Sequence, residues 1–153
     1  MCGYRDDLLH ECRCTPLQVQ RYRNRLSGPL RDRIDLSVEV PALSASALTD
    51  APAGESSAAV RERVVAARAR QALRFGDSAV RVNAGLSGRA LRQHCRLDKH
   101  GLRLLETAAR RLGLSARGYD CVLKVTRTIA DLAGADGIEA CHLAEALQYR
   151  MVE

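Results

Sequence analysis

Three kinds of side chain in this sequence could do chemistry. Cys2, Cys12 and Cys14 stand near the start with His10. Thiolates and imidazole are zinc ligands, and four of them close a structural site. Cys12-Arg13-Cys14 is tighter than the usual Cys-x-x-Cys, so a loop without metal is the favoured reading and zinc the alternative. Arg33 follows the Gly28-Pro29 turn, and Arg117 falls in the first turn of a helix that Ser115 can cap. A cation is disfavoured there by the helix dipole, whereas phosphate is welcome. An arginine in that turn makes sense where an anion visits. An Arg33–Asp35 ion pair and an ordinary exposed Arg117 are the plainer alternatives. Finally, Arg63, Arg70 and Arg74 form a basic stripe at helical spacing, a face for DNA or simply a solvated one. His94, His100 and His142 have no nucleophile or carboxylate set around them and read as structural.

The elements that position these groups are mostly helical. Thr15-Pro16 opens a helix, with threonine as N-cap and proline at the first helical position, and Ser27-Gly28-Pro29 stops it. Residues 34–40, Ile-Asp-Leu-Ser-Val-Glu-Val, alternate apolar and polar and predict a half-buried strand. No second strand is evident, and a lone strand is not stable. Residues 41–56 are rich in Pro, Ala and Ser and read as a linker. Ser56 or Ser57 caps a helix running to about Phe75, with Val60, Val64, Ala67 and Phe75 on one face. From residue 87 onward the pattern is purely helical. Stripes Leu102/Leu105/Ala109/Leu112, Tyr119/Val122/Thr126/Ile129 and Leu143/Ala144/Leu147 predict a compact bundle. The expected core is Leu102, Leu105, Leu112, Val122, Ile129, Leu143 and Leu147, with Cys95, Cys121 and Cys141 as buried thiols.

Bulk composition agrees. The chain has 153 residues and only five aromatic ones, so its core must be aliphatic, which suits packed helices. The net charge is +6 with 24 Lys and Arg, all but two of them Arg. That permits a nucleic-acid or nucleotide partner without requiring one. No apolar stretch is long enough to cross a membrane and no secretory signal precedes the cysteines, so the sequence predicts a reduced, cytoplasmic setting.

Several stretches together resemble one family. Residues 27–36, Ser-Gly-Pro-Leu-Arg-Asp-Arg-Ile-Asp-Leu, are similar to the segment entering the last core strand in the magnesium-chelatase and MCM branch of AAA+ ATPases. Residues 114–119, Leu-Ser-Ala-Arg-Gly-Tyr, resemble the start of that branch's sensor-2 helix. Cys2-Gly3 followed by residues 12–16, Cys-Arg-Cys-Thr-Pro, resembles the cysteine-rich loop of ComM-type competence proteins. Residues 128–132 and 142–147 also fit, so the resemblance spans nearly the whole chain in order.

The resemblance implies a mainly α fold: a helical lid over residues 81–153, a linker and helix over 42–80, and a remnant of the α/β AAA+ core over 1–41. It makes Arg33 an arginine finger reaching a neighbouring subunit's ATP and Arg117 the sensor-2 contact to the γ-phosphate, both nucleotide-binding. It implies ATP and Mg2+ as cofactors, a hexameric ring of identical subunits, and DNA branch migration in transformation and recombination. Against this, the sequence holds no Gly-x-x-x-x-Gly-Lys-Ser/Thr phosphate loop and no acidic Walker B strand. In the family a sensor-1 Asn and another Cys precede Cys2; here Met1 takes the place of the preceding residue, so that extra Cys is absent. We therefore expect a chain lacking the first two-thirds of the protein, monomeric and unable to hydrolyse ATP by itself, and folding without a cofactor. A magnesium-chelatase subunit, or a basic DNA-binding module unrelated to ATP, remains the alternative.

Overall fold

The computed structural model describes residues 2–4, 10–40, 43 and 54–150. Most of the predicted linker, residues 41, 42 and 44–53, lies outside the described residues, as do residues 5–9 of the cysteine loop. The described residues fall into two units by packing: those within Met1–Ile34 and Glu39–Pro52, and those within Asp35–Val38 and Ala53–Glu153.

In the first unit, α1 spans Pro16–Arg23. Thr15 and Gln18 exchange hydrogen bonds as a capping box, with proline in the first turn and Arg21 and Arg23 in the last. The predicted stop at Ser27-Gly28-Pro29 is also a restart. Ser27 accepts from the Leu30 N–H and caps a four-residue helix, α2, Gly28–Arg31. No residue of α1 is buried.

The second unit is an α-bundle. Helix α3 spans Ser57–Phe75, α4 Gly88–His94, α5 Lys99–Leu112, α6 Ala116–Leu132 and α7 Ala140–Gln148, with a 3-10 turn at Asn83–Gly85. The predicted caps are in place. Ser56, Asp98 and Ser115 each accept from a backbone N–H three residues on, and Gly113 closes α5 in the left-handed conformation at φ 59°. Helix α6 is central: α3, α4, α7 and the 3-10 turn all pack on it, and α5 packs on α7. The core is Phe75, Leu86, Leu91, Cys95, Leu105, Val122, Leu123, Leu143, Ala146 and Leu147.

Several expectations are corrected. Residues 34–40 form no strand and carry no strand ladder among the described residues. The other described segments are helices and loops, and ladder bonds need a partner edge. Instead the Ser37 N–H donates to the Tyr149 carbonyl at 3.0 Å. Leu102 and Leu112 are 43% and 37% exposed, because α5 turns its Gly101/Leu105/Ala108 side inward. Val60 and Val64 are exposed, leaving Ala67, Gln71 and Phe75 as the buried line of α3. Cys141 is exposed, whereas Cys95 and Cys121 are buried as expected.

Candidate functional site

Arg117 lies exposed in the first turn of α6. The Ser115 hydroxyl accepts from the Gly118 N–H at 3.0 Å and satisfies one of the end's unpaired donors. Gly118 is buried, and a Cβ added there would stand 3.2 Å from the Arg150 guanidinium and 3.5 Å from Ser115 Oγ. The Arg150 guanidinium and the first-turn residue Arg117 both stand at the positive end of one helix. A first-turn cation such as Arg117 is disfavoured by the dipole taken alone, and an anion would favour it.

The same end of α6 holds Asp35. The Cys121 thiol donates to Asp35 Oδ1 at 3.1 Å and lies 3.6 Å from the Asp35 carbonyl. Burial, and then this bond to Asp35, push the thiol up to about 11. It is a packed donor, not a nucleophile. Arg33, two residues before Asp35 in sequence, belongs to the other unit. It follows α2, with its N–H donating to the Leu30 carbonyl, and its side chain is exposed. Among the described residues its guanidinium has no ion pair.

The basic stripe divides. Arg63 forms a bidentate pair with Glu55 and Arg70 reaches Asp136 at 2.8 Å, both on the surface. Arg74 turns into the bundle. It holds Asp131, whose carboxylate also accepts from Asn83 at 2.8 Å and from Arg127 Nε at 3.1 Å. Arg127 in turn donates to the Ala135 and Asp136 carbonyls after α6. Burial works to raise the Asp131 pKa, but the hydrogen bonds from Arg74 and Asn83 and the Arg127 charge outweigh it. The carboxyl is held below the usual aspartate value. This network joins α3, the 3-10 turn and the end of α6. Sequence reading missed it, since bonded partners such as Arg74 and Asp131 lie 57 residues apart.

His94 meets Phe75 edge-on at 5.4 Å and His142 Nδ1 accepts from the Glu139 N–H at 3.0 Å, both structural contacts.

In the first unit, the sulfurs of Cys2, Cys12 and Cys14 converge within 4.8 Å of one another. The Tyr4 N–H, and next the Cys14 thiol, bring Cys2 down to about 7. His10 is not part of this convergent set; its ring stacks on Tyr4 at 4.6 Å.

Residues 54–150 match the family model for the C-terminal part of magnesium chelatase subunit ChlI, and residues 1–48 match the model for the ChlI subunit itself. The chain belongs to the magnesium chelatase family. The bundle is thus the C-terminal helical region of a chelatase-type AAA+ protein. Among its relatives, the competence protein ComM of Haemophilus influenzae is 48% identical over 139 residues, 90% of this chain and 26% of that protein. The uncharacterized YifB of Salmonella typhimurium is 47% identical over 92% of this chain and 27% of its own length. An uncharacterized Mycobacterium bovis protein is 41% identical, over 92% of this chain and 28% of its own. The chain therefore spans about a quarter of the length of these relatives. No helix among the described residues is long and apolar enough to cross a membrane.

Proposed function

We infer that this chain supplies the lid and the phosphate-sensing arginines of an ATP-driven ring motor that works on DNA, moving branched junctions during transformation and recombination. The observation that carries this reading is Arg117: an exposed guanidinium on the first turn of α6, in a family whose members are ATPases by the resemblance drawn above. Arg117 meets the γ-phosphate as sensor 2. Arg33 acts as the finger on the ATP of an adjacent identical subunit, in a hexamer that uses Mg2+ and works in the cytoplasm. A positioned guanidinium stabilises the charge that spreads over phosphoryl oxygens in the transition state. Arg63 and Arg70 are surface ion pairs that can exchange carboxylate for DNA phosphate, whereas Arg74 serves the bundle.

Identity of 48% to a protein named for competence, together with the ComM-type resemblance drawn above, favours a DNA role over a chelatase role. The family model's description favours the chelatase, a motor that inserts magnesium into a porphyrin through partner proteins. The full-length protein separates the two. We expect its ATPase to rise with branched DNA, to stay flat with porphyrin and chelatase partners, and to fall in Arg117→Ala. Unchanged hydrolysis in that variant would refute the sensor role. Stimulation by porphyrin partners alone would establish the chelatase.

A further inference from the structure

We propose that Cys2, Cys12 and Cys14 form a three-thiolate site for a thiophilic divalent cation of the zinc type, closing the loop between Cys2 and Cys14 and anchoring the start of α1. Cys2 Sγ lies 3.6 Å from Cys12 Sγ and 3.4 Å from Cys14 Sγ, and the Cys2 N–H points at Cys14 Sγ from 3.3 Å. A disulfide would need sulfurs at about 2.05 Å. A tetrahedral zinc with Zn–S near 2.3 Å sets its sulfurs about 3.8 Å apart. The observed spacing is close to the edge of that tetrahedron.

Charge and shape agree with a metal. Three thiolates around a divalent ion leave one net negative charge. Cys2 and Cys14 share an open depression of about 370 Å³ with Gln18, Tyr22 and two cations, Arg21 and Arg25. Those guanidinium groups offset the excess charge, and the open side leaves room for water or another donor in the fourth position. Soft sulfur excludes Mg2+, which takes oxygen ligands. The site is thus separate from the nucleotide's magnesium. It also answers a local need. Cys14 immediately precedes the Thr15 cap of α1, a helix with no buried residue to hold it. A metal joined to Cys14 would fix that end where packing does not.

The test is metal binding by the 153-residue chain, purified under reductant and titrated with Zn2+ and Co2+. One equivalent should bind. Co2+ should give thiolate charge-transfer absorption that falls by about a third in Cys12→Ser, as one sulfur of three is lost. Cys12→Ser/Cys14→Ser should abolish stoichiometric binding, while Cys141→Ser, an exposed cysteine outside the trio, should retain it. Far-UV circular dichroism of each variant reports that the bundle is intact. The proposal fails if fully reduced protein binds less than one equivalent, if the double variant still binds, if Mg2+ displaces Co2+, or if a disulfide within the trio persists under reductant.

Discussion

Helices α1 and α6 begin alike and are held differently. Each has a hydroxyl N-cap bonded to the N–H three residues on. Yet α1 buries no residue, while α6 buries eight, among them Val122, Leu123 and Ala130. Capping sets where a helix starts; burial decides whether it stays. An isolated helix shorter than about 12–15 residues is marginal in water. The eight-residue α1 falls short of that length and has no buried face to compensate. The region carrying Arg33 is held by local bonds, and the region carrying Arg117 by a core.

The largest expected effect tests whether the weakly held region matters for catalysis. If Arg33 is the finger proposed above, Arg33→Ala in the full-length protein should lower ATP hydrolysis by about 10³–10⁵ while leaving nucleotide binding largely unchanged, since a finger meets charge that develops in the transition state. Its side chain is exposed, so the melting temperature should not move. Mixing Arg33→Ala subunits with phosphate-loop-deficient subunits should restore part of the activity if the finger acts across the interface. Normal hydrolysis by the Arg33→Ala ring would sink the assignment, and absence of recovery would place the residue's role within its own subunit or in assembly.

Next in size is the buried network. Asp131→Ala would leave Arg127, only 3% exposed, without its carboxylate. Breaking a buried pair typically costs about 3–5 kcal/mol, which urea unfolding would read. The same group sets an acid response. Its folded pKa lies below the ordinary 3.8, so its contribution is complete above the unfolded value and is lost as pH falls through the folded one. Between neutral pH and acid below 3.8, the stability gap between wild type and Asp131→Asn should shrink. A gap independent of pH would mean that the charge contributes nothing.

A third effect checks the register of the bundle. Leu105 is fully buried, and Leu105→Ala should cost roughly 2–5 kcal/mol. Leu102 is 43% exposed, so Leu102→Ala should fall within about 0.5–1 kcal/mol, as for an unburied site. Equal losses at both would return the helix to the face that its sequence alone suggests.

That pair also shows how far the sequence was legible. Ser56, Asp98, Ser115, Gly76 and Gly113 marked helix ends because caps act within one turn. The facing of α5 was harder to read, because leucines at 102, 104, 105 and 112 surround more than one side, and only the neighbouring helices select among them. Alternation at 34–40 suggested a half-buried strand, but the described residues form none there, because a strand needs a pairing edge that alternation alone cannot supply. Arg117 was legible because a cation in a first turn violates a local rule. Arg150 and the Arg74–Asp131 contact were not, because tertiary packing alone brings them to their partners. The cysteine trio was visible as spacing, but the convergence of its sulfurs is a property of the fold.

The smallest effect bears most directly on the two helices. Replacing an N-cap hydroxyl by alanine costs about 0.5–2 kcal/mol wherever the helix is part of the cooperative unit. Ser115→Ala should therefore lower the global unfolding free energy by about that much, because α6 packs with α3, α4 and α7 and cannot fray alone. Thr15→Ala removes the same kind of bond, Gln18 N–H to a hydroxyl, from a helix outside the core. Global unfolding should hardly change, while hydrogen exchange in residues 16–23 should speed up several-fold. With zinc added, the Thr15 variant should recover part of its protection if Cys14 anchors the helix, whereas the Ser115 variant should not respond. Equal loss of global stability in the two variants would show that α1 folds as one unit with the bundle, and the contrast between the regions would have to be abandoned.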